Sequence, residues 1–163
     1  MKIAVTSRSF SRHPVLRREL LARHPNVTFN DAGIALADES LIAFLRGHER
    51  AITALERLDE RLFDAVPELK VVSKYGVGFD MIDVEAMARY GVKLGWTGGV
   101  NRRSVAELVI AFSIMLLRRL PTANAEVRDG VWRQHVGRQL SDRTVGIVGC
   151  GHVGKELAVL LRA

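Results

Sequence analysis

Apolar positions recur in two rhythms along the first hundred residues of the chain. Short β-branched and aliphatic runs predict strands at Lys2–Thr6, Val27–Phe29, Ala51–Ala54, Leu69–Ser73 and Val92–Trp96. Between them, apolar residues return every three or four positions. That spacing predicts helices over Val15–Ala22, over the segment of Leu41, Ile42, Phe44 and Leu45 behind Asp38 as N-cap, over Leu55–Val66, and over Val84–Tyr90 behind Asp83. Ser7–Pro14 reads as a polar turn, and Gly47, Pro67 and Gly91 punctuate the helix ends. Regular strand–helix alternation predicts an α/β fold with a parallel sheet covered by helices on both faces.

The pattern changes after residue 100. Asn101–Leu120 is the longest helical stretch, with Val105, Leu108, Val109, Phe112, Leu116 and Leu117 on one wide apolar face. Ser104 and Glu107 have capping-box spacing, and Pro121 is expected to end the helix. A helix this apolar is expected between domains or against a second subunit. Residues 122–139 are polar and read as an arm laid over another surface. Val145, Ile147 and Val148 then predict a buried strand, followed by Gly149, Gly151 and Gly154 in G-x-G-x-x-G spacing and by an apolar helix. Strand, glycine turn and helix in that order point to dinucleotide binding: Gly149 for the turn, Gly151 for backbone approach to a pyrophosphate, and Gly154 for close helix packing.

Composition narrows the class. Of 163 residues, 48% are hydrophobic, enough for a real core. The longest apolar run, Leu108–Leu117, is too short to span a bilayer, and the first residues lack a secretory pattern. The single cysteine, Cys150, excludes an intramolecular disulfide, so a cytoplasmic location is expected. The formal charge is +6, of which residues 1–100 hold only 14 basic against 13 acidic side chains. The excess is scattered arginine with no nucleic-acid reading motif beside it, so neither nucleic acid nor membrane is expected as a partner. The five histidines show no metal-ligand spacing.

Several motifs stand in order: K-Y-G-V-G-F-D-x-I-D at 74–83, V-N-R-R-S-V-A-E-L at 100–108, W-R at 132–133, and G-R-Q-L-S-D-R-T-V-G-I-V-G-C-G-H-V-G-K-E at 137–156. Together they resemble the D-isomer-specific 2-hydroxyacid dehydrogenases, the family of phosphoglycerate dehydrogenase and the glyoxylate/hydroxypyruvate reductases. The resemblance implies a flavodoxin-like substrate domain over residues 1–100. Over 101–163 it implies a crossover helix, a dimer arm and the first βα unit of a Rossmann domain that binds NAD or NADP. It places the substrate carboxylate at Tyr75, Gly76, Val77 and Gly78, held by the backbone N–H groups of Val77 and Gly78. It places the cofactor phosphates at Gly149, Gly151, His152, Val153 and Gly154, with the His152 ring uninvolved.

The implied substrate is a small 2-hydroxy or 2-keto acid, and the implied assembly a homodimer through residues 101–140. Met81 stands where the family commonly has Asn, and Thr97-Gly98-Gly99 where it commonly has Thr-Pro-Gly. The family's catalytic Arg, Glu and His are expected beyond Ala163, which predicts a fragment inactive alone. The alternative is a non-enzymatic, dimerising or regulatory relative of the family.

Overall fold

The computed structural model describes residues 1–162 and divides into two compact units, Met1–Gly98 and Gly99–Ala163. The first unit holds strands β1 (Ile3–Val5), β2 (Val27–Phe29), β3 (Arg50–Thr53), β4 (Val71–Lys74) and β5 (Lys93–Gly95). They form one parallel sheet in the order β2-β1-β3-β4-β5. Helices α1 (Arg8–Arg12), α2 (Pro14–Arg23), α3 (Asp38–Leu45), α4 (Glu60–Ala65) and α5 (Val84–Arg89) connect them.

Alternation along the strands sends successive residues to opposite faces. Ala4, Ala51 and Val72 join the larger core, where Leu41 and Leu45 of α3, Leu62 and Phe63 of α4, and Ala86 and Met87 of α5 are buried. Their neighbours Val5 and Ile52 pack the other way, with Phe10 of α1 and with Leu16 and Leu20, one turn apart on α2. The sheet is therefore covered on both faces, as its unbroken apolar runs require.

Local chemistry moved several boundaries. Ser7–Pro14 contains a helix, α1, because the Ser7 hydroxyl accepts from Phe10 N and caps it. Asp38 is not the N-cap of α3 but its first residue, at φ 45°; Ala37 is the cap, and its N–H donates to the Ser40 hydroxyl. The helix expected from Leu55 begins only at Glu60. Leu58 is held by a bridge to Ile82 and buried, and Asp59 caps the helix by accepting from Leu62 N. Asp83 caps α5 as expected, accepting from Ala86 N at 2.9 Å, and Gly91 ends it at φ 67°.

The second unit is helical: α6 (Arg102–Leu117), α7 (Leu120–Arg128) and α8 (His152–Leu160). The expected capping box does not form. Ser104 lies inside α6 and its hydroxyl donates to the Asn101 carbonyl. Arg119, at φ 54°, breaks the long helix, and α7 starts with Pro121 in its first turn, where the missing N–H has no partner to lose. Part of the supposed arm is thus helix. No strand forms over Val145–Val148. A strand needs a neighbour to hydrogen-bond, and among the described residues of this unit none is present. No helix among the described residues is long and apolar enough to cross a membrane.

Replacing Phe63, 1% exposed at the centre of the larger core, with Ala is expected to destabilise the first unit by about 3–5 kcal/mol in chemical denaturation. Leu55→Ala, at a side chain 79% exposed, is expected to change stability by less than about 0.5 kcal/mol.

Candidate functional site

Two glycine turns carry the candidate chemistry, one in each unit. In the first, strand β4 ends at Lys74, and Tyr75 N donates to the Thr53 carbonyl at 2.7 Å, prolonging the β3–β4 pairing. Gly76 then takes φ 128°, a conformation L side chains rarely adopt. The N–H groups of Val77 and Gly78 find no acceptor among the described residues. The Val77 carbonyl does have a partner: Trp96 Nε1 donates to it at 2.7 Å. The Trp96 ring also stands edge-on to Phe79, with centroids 4.9 Å apart, as Phe10 does to Tyr75 at 5.2 Å. Downstream, Ile82 N donates to the Phe79 carbonyl and closes the turn onto α5.

The result is a run of unengaged N–H groups from Gly76 to Met81, those of Val77 and Gly78 among them, on a turn at the C-terminal edge of a parallel sheet. Such a nest binds an anion without a fixed positive charge. Lys74 is only partly exposed. Its Nζ turns inward onto the Ala54 carbonyl, and burial lowers its pKa while Glu56 partly restores it. Asp80 remains exposed beside Gly78, and Asp83 is occupied as a helix cap.

A cleft nearby in the same unit marks the point where the chain leaves β1 for one side of the sheet and returns to β3 on the other. Arg8 and Arg12 of α1 line it, opposite Ala54 and Glu56. Sequence reading missed both arginines because it took this segment for a turn. The role of Trp96 was also missed, since no local pattern reveals a hydrogen bond to a residue nineteen positions away.

In the second unit Gly149 takes φ 96°, and Gly151 is the N-cap of α8 with no side-chain cap. A Cβ at Gly154 would lie 2.3 Å from the Gly149 carbonyl oxygen, so the packing of α8 on its own turn demands glycine there. A Cβ at Gly151, where φ is −80°, would meet nothing within 4 Å. The fold thus explains Gly154, while Gly151, like Gly146, meets no neighbour that would exclude a side chain. The N–H groups of His152 and Val153, in the first helical turn, have no acceptor among the described residues. They sit where a helix favours an anion.

Other polar groups here are structural. Glu156, 17% exposed at its side chain, accepts from Arg102 Nε at 3.3 Å and forms an ion pair with Arg103 Nε at 2.8 Å, tying α8 to the start of α6. The His152 ring lies over Gly99, where a Cβ would approach it to 2.6 Å. His135 Nε2 meets Glu126 at 2.5 Å, and Arg133 meets its other oxygen at 3.4 Å. Cys150 is exposed. Leu157 is buried, whereas Val145, Ile147 and Val148 are exposed. No cluster among the described residues could hold a metal ion.

Gly154→Ala is expected to lower the thermal midpoint of the second unit and speed amide exchange at Cys150–Val153. Gly151→Ala should leave both within error of the unmodified protein.

A family model, the D-isomer specific 2-hydroxyacid dehydrogenase catalytic domain, matches residues 3–150. The D-3-phosphoglycerate dehydrogenase of Rattus norvegicus is 35% identical over 131 residues, covering 78% of this chain and 25% of the relative. The glyoxylate reductase of Thermococcus onnurineus is 32% identical over 150 residues, covering 86% of this chain and 45% of the relative. Among solved structures, the TT0316 protein of Thermus thermophilus aligns with a TM-score of 0.85 at 27% identity, covering 99% of this chain and 53% of that one. The NAD+-bound 3-phosphoglycerate dehydrogenase of Entamoeba histolytica aligns at 0.72 and 27% identity, covering 99% and 50%. This chain thus spans between a quarter and about half of the proteins it matches. With its 2-1-3-4-5 parallel sheet, its glycine turns and a family match over nearly its whole length, the chain belongs to the D-isomer specific 2-hydroxyacid dehydrogenases.

Proposed function

We propose that this chain supplies the substrate-carboxylate site and the first half of the dinucleotide site of an NAD(P)-dependent oxidoreductase. Its substrate is a small 2-hydroxy or 2-keto acid such as glyoxylate, hydroxypyruvate or 3-phosphoglycerate. The observation that carries this reading is the pair of unengaged N–H groups at Val77 and Gly78. Amide hydrogen bonds to a carboxylate are charge-assisted and roughly twice as strong as neutral ones. Gly76, by its positive φ, and Tyr75, by its contact with Phe10, shape the turn that presents them.

The second turn fits a dinucleotide. Gly151 leaves room for the pyrophosphate, and the first-turn N–H groups of His152 and Val153 would hold it; Gly149 and Gly154 shape the approach. When bound, the nicotinamide supplies or accepts the hydride. The chain's own residues bind and orient the acid. Hydride transfer also needs a base for the hydroxyl proton and a cation to polarise the carbonyl. We assign both functions to the family's catalytic Arg, Glu and His, which the resemblance places outside residues 1–163. Exposed Leu108, Phe112 and Leu116 on α6 support a homodimer through residues 101–140, with the rest of the dinucleotide fold covering Val145–Val148.

The test is a titration of the 163-residue chain with oxalate, a non-reacting 2-keto acid analogue, followed by amide NMR. Saturable shifts centred on Val77 and Gly78 are expected; shifts elsewhere with none at these amides would overturn the assignment. A parallel titration with NADH should move the His152 and Val153 amides, and Gly151→Ala should abolish that response without changing the melting temperature. The chain alone should not oxidise NADH in the presence of glyoxylate or hydroxypyruvate. Turnover by the purified chain would show that it contains the base and cation assigned elsewhere.

A further inference from the structure

We infer that Trp96 is a positioning residue for the carboxylate site, acting through the peptide bond between Val77 and Gly78. A peptide unit is planar, and in the trans form its C=O and N–H point in opposite directions. None of the described peptide bonds is cis. The indole N–H of Trp96 holds the Val77 carbonyl at 2.7 Å, so it also fixes the direction of the Gly78 N–H, on the side of the plane's axis away from the indole.

The turn needs such a restraint. Gly76 and Gly78 flank Val77 with no side chain of their own, and glycine has the widest backbone freedom of any residue. The nearest backbone hydrogen bonds are at Tyr75 upstream and at the Phe79 carbonyl downstream. Between them, the indole contact is what fixes the orientation of a peptide plane. Trp96 is itself well placed to do this. It directly follows β5, where Gly95 pairs with Ser73 of β4, and its ring rests edge-on against Phe79. A carbonyl engaged by a donor also polarises its own amide, which strengthens the N–H on the same unit as a donor. Trp96 never needs to touch the substrate to set both the aim and the strength of the Gly78 hydrogen bond.

The inference rests on the carboxylate reading of the turn, and the experiment separates the two. Oxalate is titrated into the unmodified 163-residue chain, W96F and W132F, with amide and carbonyl NMR as readouts. Trp132 is 88% exposed and serves as the control. W96F keeps an aromatic ring beside Phe79 and removes the donor together with the indole's second ring. It is expected to weaken oxalate binding roughly five- to tenfold, the equivalent of one hydrogen bond. It should also move the Val77 carbonyl carbon signal upfield, which loss of packing alone would not do. W132F should bind oxalate like the unmodified chain.

If the unmodified chain shows no shift at Val77 and Gly78, the carboxylate reading fails. If it does shift and W96F binds oxalate equally well with an unchanged Val77 carbonyl signal, the role of Trp96 alone is overturned. Should W96F not fold, the unmodified chain supplies the readout: the Trp96 indole N–H must exchange more slowly than that of Trp132 and respond to oxalate. Equal exchange at the two indoles would refute the proposal.

Discussion

Every backbone N–H and C=O in a folded chain must be paired or left open to solvent or ligand. At the C-terminal edge of the five-stranded sheet this accounting sorts structure from function. Tyr75 N is spent on Thr53, Ile82 N on Phe79 and Asp83 N on Leu58. The Val77 carbonyl is spent on Trp96. What is left over is the run of N–H groups from Gly76 to Met81, with those of Val77 and Gly78 beside the glycine that turns the chain. The sheet exists to hold that remainder still, and its two-sided core, from Val5 and Phe10 on one face to Phe63 and Leu69 on the other, supplies the rigidity.

The second unit applies the same accounting to a helix end. Glu156 locks α8 to the start of α6 through two arginines, and Gly154 lets the helix lie against its own turn. The first-turn N–H groups are then unengaged and Gly151 stands clear of every neighbour. Packing explains Gly154, whereas Gly151, like Gly146, meets no neighbour that would exclude a side chain.

Much of this was legible in the chain. All five strands appeared as short apolar-rich runs; β1 in the middle of the sheet is buried throughout, while the edge strands β2 and β5 keep exposed positions at Thr28, Lys93 and Gly95. Both glycine turns were found, by their spacing and by the resemblance of their flanks. What failed was short-range chemistry decided by a single contact. Ser7 caps a helix where a turn was expected, Ser104 donates to Asn101 instead of capping, and a left-handed Arg119 divides one expected helix into two. The strand expected at Val145–Val148 is absent for another reason: a strand is a relation between segments, and among the described residues this unit offers no second one. Trp96 was invisible because its partner is remote in sequence and near only in the sheet.

The central claim is that the Val77–Gly78 amides receive the carboxylate of a small 2-keto acid. Its most direct test is a crystal structure of the protein grown with oxalate. The account predicts one carboxylate with its oxygens about 3 Å from Val77 N and Gly78 N. A well-ordered oxalate bound elsewhere, with both amides facing solvent, would contradict it.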